Sequence, residues 1–485
     1  VDMKVCPPVA MVHVAILGSL LLGLAKSDGV VVQEVNSYGE PSAVVIASDG
    51  LPIVAGNSNA ASQAGDFAGS ASYGSADVVV IKYTLAGAQS ATYKVGTTSQ
   101  DAAEAMEIDS SDNIFVSGWS FGGFDDFTSA GKEDVFILKL DSSLSKVWLI
   151  QFGTTGSDYA VAIGLDSSGN VIVGGKTEGT WPDKDLVGGY DAWISLFNST
   201  GDQQWILQFG STAYDDLMDL AVDTVDSVDM IYATGYTQGN FEGGTHAGGQ
   251  DDDPFLIKVS STSSSGSKVW SVQVGGTGRD RGYGVVVDSA HNAYIAGQTN
   301  GVVATGTSQI GSDDLFLMKY NQDGEQQWVK QLGSGSAEGP RSLGIDGNGN
   351  IYPALLTQGV LGSSNFGDYD TAVMQVDSSG TVIWTEQFGT SKNDFPIMPG
   401  GVVVDDSTGD VFFAGQTQGS FSGYSNTNNN YNWFLYKIDH KSTTTTSSTT
   451  ATVSTSTSST ATATISSSST ATATISSSST WSTTS

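Results

Sequence analysis

The sequence predicts an all-β chain folded as a seven-bladed β-propeller of four-stranded antiparallel blades, and three observations predict it. The first is a single unit, Tyr159 to Asp215. Its four short apolar runs (AVAIGL, VIVGG, AWISLF and QWILQFG) are separated by turns rich in Gly, Asn and Asp. Such runs and turns read as an antiparallel meander, and a lone sheet of this size needs copies to stack against. The second observation is that copies exist. Asp191, just before the third run, is matched by Asp77, Asp134, Asp253, Asp314, Asp370 and Asn432, at steps of 57, 57, 62, 61, 56 and 62 residues. The Trp of the fourth run recurs at Trp148, Trp205, Trp270, Trp328 and Trp384, and the Gly that closes it at Gly96, Gly153, Gly210, Gly275, Gly333 and Gly389. Long-period repetition of four strands marks a propeller.

The third observation is an imbalance at the ends. Val30 to Pro41 aligns with Ser271 to Asp280, a fourth strand and its exit loop, so it precedes the first repeat as an orphan. The seventh unit stops after its third strand, Trp433 to Asp439. The expectation is that Val30 to Val35 pairs with the Trp433 strand, completes the last blade and removes an edge that would aggregate.

Taken in order, the chain divides into three parts. Residues 1–25 read as a signal peptide: Lys4, an apolar run from Val9 to Leu24, then small Gly23 and Ala25. Secretion follows, with no stable membrane insertion after cleavage; a signal anchor is the other reading. Residues 30–441 are the propeller, expected to be a monomeric ring. Residues 442–485 are almost entirely Ser, Thr and Ala, with ATATISSSST in tandem at Ala461 to Thr470 and Ala471 to Thr480. No core can be built from this composition. It reads as an O-glycosylated stalk or as an unmodified tail.

Composition narrows the function classes. The net charge is −32 over 485 residues, which repels nucleic acid rather than attracting it. The one cysteine, Cys6, lies in the leader, so the mature chain has neither disulfide nor thiol chemistry. Gly at 60 residues suits many short strands and turns.

Within a blade, strand A precedes the Asp-x-x-Gly-Asn turn and strand B follows it. Strand C follows the Asp191-type residue, and strand D carries the Trp. The longest connections join B to C. With A innermost they share a face with the D–A loops, and variable loops on a rigid scaffold are where binding sits. Matching positions at the start of these loops hold Glu178, Gln238, Asn300, Gln358 and Gln418, with Asn59 and Phe121 in the other two blades. With Trp119, Trp181, Phe241, Phe421 and Tyr424 nearby they suit a sugar or peptide ligand, through hydrogen bonds and stacking. Alternatively the amides only close the start of each loop.

Other residues read two ways as well. The A–B turns place oxygen ligands at alternate positions, Asp346, Asn348 and Asn350 in one and Asp405, Asp406 and Asp410 in another, as a calcium loop does. Asp and Asn-Gly also make hairpins without metal, so no cofactor is expected and calcium is the alternative. The Asp five residues past each strand D Gly (Asp101, Asp158, Asp215, Asp280, Asp394, with Glu338 substituting) reads as a cap for backbone N–H groups, and so does the Asp191 series. Asn198-Ser199-Thr200 is a glycosylation sequon in a C–D turn. No nucleophile elbow, His-rich metal spacing or nucleotide loop occurs. A carboxylate pair for glycan cleavage is not singled out.

The repeat, with Asp166, Gly169, Asn170, Gly175, Thr177, Asp191, Trp205 and Gly210 as matching residues, resembles the SBBP-type β-propeller repeat family over about Val30 to Lys441. The resemblance implies a secreted or surface propeller with no shared enzymatic activity. Departures are Leu355 for Gly, Gln375 and Leu196 for the strand C Lys, and Ala91 for Trp. The D-x-x-G-x-x-x-W portion is also similar to blades of pyrroloquinoline-quinone dehydrogenases, without a cofactor-binding set. The expectation is a binding or adhesion module at a cell surface, with a glycan or protein on the B–C loop face. An extracellular polysaccharide hydrolase or lyase, or a structural matrix protein, are the alternatives.

Overall fold

The structure is a computed structural model; it describes residues 29–33, 39–59, 73–124, 126–184, 186–246, 251–276, 278–362, 364–398, 400–421 and 431–439. The signal-peptide, Cys6, Tyr424 and Ser/Thr-tail readings lie outside them.

Seven sheets follow one another along the chain. Strand A is Gly39–Ile46, Asp101–Ile108, Asp158–Leu165, Asp215–Val225, Asp280–Val287 and Glu338–Ile345 in blades one to six. In blade seven it is split into Asp394–Pro396 and Val402–Asp405. Strand B is Pro52–Asn59, Ile114–Ser120, Val171–Thr177, Val228–Thr237, Ala293–Thr299, Ile351–Thr357 and Asp410–Thr417. Strand C is Ala76–Tyr83, Asp134–Leu140, Asp191–Phe197, Asp253–Ser261, Asp314–Tyr320, Asp370–Val376 and Asn432–Ile438. Strand D is Gln89–Val95, Lys146–Phe152, Gln203–Phe209, Gly266–Gln273, Gln326–Leu332 and Val382–Phe388. Each blade is an antiparallel meander in the order A-B-C-D, as the sequence predicts. In the seventh, Gly29–Gln33 pairs antiparallel with Asn432–Ile438, Val30 opposite Tyr436 and Gln33 opposite Phe434.

The core consists of seams between blades. Among the described residues seven hydrophobic clusters form, and each joins side chains of two neighbours. The cluster of Val44, Val79, Ile81, Ala414, Trp433 and Leu435 packs blade seven against blade one. Middle strands are therefore covered on both faces: every residue of Asp191–Phe197 is buried, which explains why these strands read as continuous apolar runs. Strand D lies outermost and alternates with solvent, as in the half-exposed Gln203–Phe209.

The repeated Asp, Thr and Gln residues form two polar modules. In the first, buried Asp158 accepts from the Thr154 N–H at 2.6 Å and from the Thr177 hydroxyl at 2.5 Å, so the D–A crossing is tied to the end of strand B. Asp101, Asp215, Glu338 and Asp394 accept the N–H of Thr97, Ser211, Ser334 and Thr390 in the same way. In the second, Asp191 accepts the Val187 and Gly188 N–H groups and the Gln208 amide. Gln208 also donates to the Gly179 carbonyl, clamping the B–C loop. Buried carboxylates thus satisfy backbone donors where the loops cross the rim.

Candidate functional site

A second column of residues stands beside the Asp–Thr module. Because side chains alternate along a strand, the residue after each strand A Asp and the residue before each strand B Thr share the opposite face. The ladder makes them cross-strand partners: Glu40 with Asn57, Ala102 with Trp119, Tyr159 with Lys176, Asp216 with Tyr236, Arg281 with Gln298, Gly339 with Leu356 and Phe395 with Gln416. The repeat does not dictate this column, and its members differ from blade to blade.

Contacts run from one blade to the next along it. Trp119 and Tyr159 meet edge to face at 5.8 Å. Lys176 Nζ lies 2.7 Å from Asp216 Oδ2 and 3.0 Å from the Tyr214 hydroxyl, within 5.9 Å of the ring centres of Tyr159, Tyr190 and Tyr214. Asp216 also accepts the Tyr236 hydroxyl at 2.9 Å. Arg281 stacks over Tyr236 at 4.4 Å and pairs with Asp252 at 2.5 Å. Across the axis Tyr369, Phe395 and Tyr431 continue the aromatic wall, with centroids 5.4 and 5.7 Å apart.

Strand A adds a third set of groups. Its ladder slips by one residue near the loop end of blades one to six, and the residue at the slip is Ser42, Glu104, Val161, Met218, Tyr283 or Arg341. Such a bulge re-aims a side chain at a barrel rim. Glu104 and Arg341 line one open cavity of about 390 Å³ with Glu40, Asn57, Phe395 and Gln416. Deeper on the axis a second space of about 440 Å³ is walled by apolar strand A residues, with Glu107 and Asp219 as its carboxylates.

Burial sets the charges of these groups. It pushes the Glu104 carboxyl up to about 7, aided by the charge of Glu40 and opposed by the 2.7 Å bond from the Trp119 indole and by Lys176. Burial also lifts Asp219 to about 7, against N–H bonds from Val285 and Leu220. For Lys176 burial works against the ammonium, but Asp216 and Tyr214 outweigh it and hold the lysine protonated. Burial lowers the Arg341 guanidinium, opposed only by the Tyr283 and Tyr369 phenols.

The amide series lies one residue farther out, at the loop rim. Backbone N–H groups of Glu178, Gln238, Asn300, Gln358 and Gln418 donate to carbonyls of Ser157, Tyr214, Arg279, Ala337 and Asn393, joining each B–C loop to a D–A loop. Their side chains do not meet one another. Glu178 pairs with Lys132 at 2.6 Å, Gln238 donates to Asp252, Asn300 accepts the Arg279 N–H and Gln418 accepts from Asn393. Gln358 is exposed. Trp119 belongs to the mouth, with Phe121 at 5.5 Å. Trp181 is buried, 5.6 Å from both Phe152 and Trp193, and Phe241 is buried against Phe255.

The A–B turns use their carboxylates internally. Asp346 accepts the N–H groups of Asn348 and Asn350, the Asn350 amide and the Tyr352 hydroxyl. Asp405 accepts from Ser407, and Asp410 pairs with Lys437 at 2.6 Å. Among the described residues no three His, Cys, Asp or Glu groups are placed to hold a metal. Asn198 sits in its C–D turn, where its oxygen accepts the Thr200 and Asp202 N–H groups.

A family model described as a β-propeller repeat, SBBP, matches residues 269–302, strand D of blade four through strand B of blade five. Within the seven-bladed propeller this stretch is an SBBP-type repeat. The chain is 26% identical over 165 residues to the regulatory protein FlaEY of Caulobacter vibrioides, a stretch covering 31% of this chain and 17% of that relative. Among solved structures it is similar to an ulvan lyase of polysaccharide lyase family PL25 bound to -[GlcA(1-4)Rha3S]-. That likeness has a TM-score of 0.50 at 10% identity, over 85% of this chain and 96% of the other. Virginiamycin B lyase from Staphylococcus aureus is also similar, with a TM-score of 0.44 at 10% identity over 84% of this chain and 97% of that one. At such identities the likeness is one of fold. No helix among the described residues is long and apolar enough to cross a membrane.

Proposed function

We propose that this propeller is a secreted or cell-surface binding module whose glycan ligand seats in the axial mouth on the B–C loop face. One observation carries the reading: aromatic rings and hydrogen-bonding groups from successive blades converge beside an open cavity. Concave sites with a few convergent polar groups are the usual place for a ligand, and rings supply stacking faces for sugars. The leader-like pattern of residues 1–25 and the Ser/Thr-rich composition of residues 442–485 support extracellular placement.

A glycan array probed with the whole protein tests this, followed by titration of the best hit against variants. Trp119→Ala is expected to weaken binding at least tenfold. Gln238→Ala and Gln418→Ala, at the rim, are expected to change it less than threefold. The reverse ranking would move the site from the mouth to the loops, and an array without hits would remove the glycan.

Cleavage of the bound glycan is a second reading, favoured by Glu104, whose carboxyl near neutrality is able to accept or give a proton. Release of reducing ends that disappears in Glu104→Gln would establish it.

A further inference from the structure

Among the described residues, basic groups at the mouth and its rim have acidic partners. Lys176 faces Asp216, Arg281 faces Asp252, and Arg279 lies 3.8 Å from Asp313. Arg341 is different. It occupies the strand A bulge of blade six, between Pro340 and Ser342, and lines the same cavity as Glu104 and Phe395. Among the described residues its guanidinium has one hydrogen-bond contact, from Nη1 to the sulfur of Met398 at 3.4 Å, and no carboxylate among them lies within ion-pair distance. A guanidinium does not lose its proton in a protein, so the charge stays. Burying an uncompensated charge is costly, and that cost falls when an anion arrives.

The surroundings of Arg341 point to the kind of anion. A planar guanidinium fork matches a carboxylate in a bidentate pair. Phe395 offers an apolar face at the same cavity, whereas Glu40 and Glu104 on its far wall disfavour a ligand with dense negative charge. A sugar ring bearing a single carboxylate meets all three conditions. Resting on the glycan reading above, we propose that Arg341 is the carboxylate-recognising subsite of the mouth and that the ligand is a uronic-acid-containing polysaccharide.

Glu104 then acts as a modulator. Its carboxyl lines the cavity that receives the ligand's negative charge, and it titrates near neutrality. Uronate binding is expected to tighten as the pH falls through that range, whereas binding of a neutral counterpart stays level.

The test uses three probes on the whole protein: oligogalacturonate, its methyl ester and a sulfated dextran of similar length. The wild type is expected to bind the acid at least tenfold more tightly than the ester. Arg341→Gln is expected to shrink that difference to less than twofold, because it weakens the acid far more than the ester. The thermal midpoint of Arg341→Gln should not fall, because an uncompensated, half-buried charge has been removed. If it does fall, Arg341→Lys replaces it: the charge remains without the fork, and the preference should shrink at least threefold. Equal binding of acid and ester by the wild type would overturn the carboxylate subsite yet keep the mouth. An Arg341-dependent preference for sulfated dextran would overturn it in favour of sulfate. Binding of no probe, together with an empty array, would remove the glycan reading itself.

Discussion

Trp205 of the third blade donates its indole N–H to the carbonyl of Thr262, in the C–D turn of the fourth, at 2.9 Å. The same latch joins Trp148 to Ser199, Trp270 to Gln322 and Trp328 to Ser378. A Gly in each receiving turn faces the ring. Gly201, at φ 90°, would bring a Cβ to 3.2 Å of Ile150 and 3.6 Å of Trp148. The Trp is therefore repeated because it fastens neighbours together, which explains its spacing of one blade.

Removing a latch should cost stability without altering the mouth. Trp205→Phe keeps most of the apolar ring and loses the N–H, an expected loss of about 1 kcal/mol. Trp205→Ala also opens a cavity in the seam, for about 3–5 kcal/mol. Urea unfolding followed by tryptophan fluorescence measures both, and a Trp205→Phe variant as stable as the wild type would contradict the latch.

Lys176 is the hub of the charged side of the mouth. Lys176→Met leaves the Asp216 carboxylate, whose side chain is 3% exposed, facing only the Tyr214 and Tyr236 hydroxyls. Breaking one partner from a largely buried pair costs about 3 kcal/mol. Asp216→Asn in the same background should recover part of that loss, because the unpaired charge disappears. A double variant less stable than Lys176→Met alone would show that the pair is not coupled.

The fold was legible because repetition reports what must be the same in every blade. Asp158, Thr177, Asp191, Gln208 and Trp205 all serve loop clamps or seams, and each returns with the period. The mouth was legible only at Trp119, for the converse reason. Asn57, Trp119, Lys176, Tyr236, Gln298, Leu356 and Gln416 occupy one structural position yet mix amides, aromatics, a lysine and a leucine, so no single residue type recurs there with the period. The amides just after the strand B Thr do recur, and the structure places them at the rim. Glu104 and Arg341 were harder still, since a bulge inside strand A leaves no mark in an apolar pattern. The usable signal was the unlike column immediately before each strand B Thr.

Disturbing the pairing of the two ends should expose an edge. Val32 lies opposite Leu435 in the Gly29–Gln33 ladder. Val32→Pro removes an N–H from that strand, and proline is tolerated poorly within a ladder. The variant is expected to melt several degrees lower and to self-associate in light scattering as concentration rises, because an unpaired edge is a template for other chains. Unchanged melting and scattering would mean that the N-terminal strand contributes little to holding the seventh blade.

The crossing carboxylates predict an unusual dependence of stability on pH. Burial raises Asp101, Asp158 and Asp215 above the ordinary value of 3.8, and takes Asp280 and Asp394 to about 6. Between about 4 and 6 the folded state therefore holds more protons than the unfolded chain, so stability falls as the pH rises through that window. Turn carboxylates such as Asp141, Asp202 and Asp377 are shifted the other way by bonds from Ser143, Asn198 and Ser379. Their contribution is lost only as the pH drops below about 4. The urea midpoint is thus expected to be higher near pH 5 than near pH 8, and the difference should shrink in Asp394→Asn and in Asp280→Asn. A wild-type midpoint that rises between the two conditions would mean that the Thr390, Thr417 and Gly276 donors hold these carboxylates ionised despite their burial.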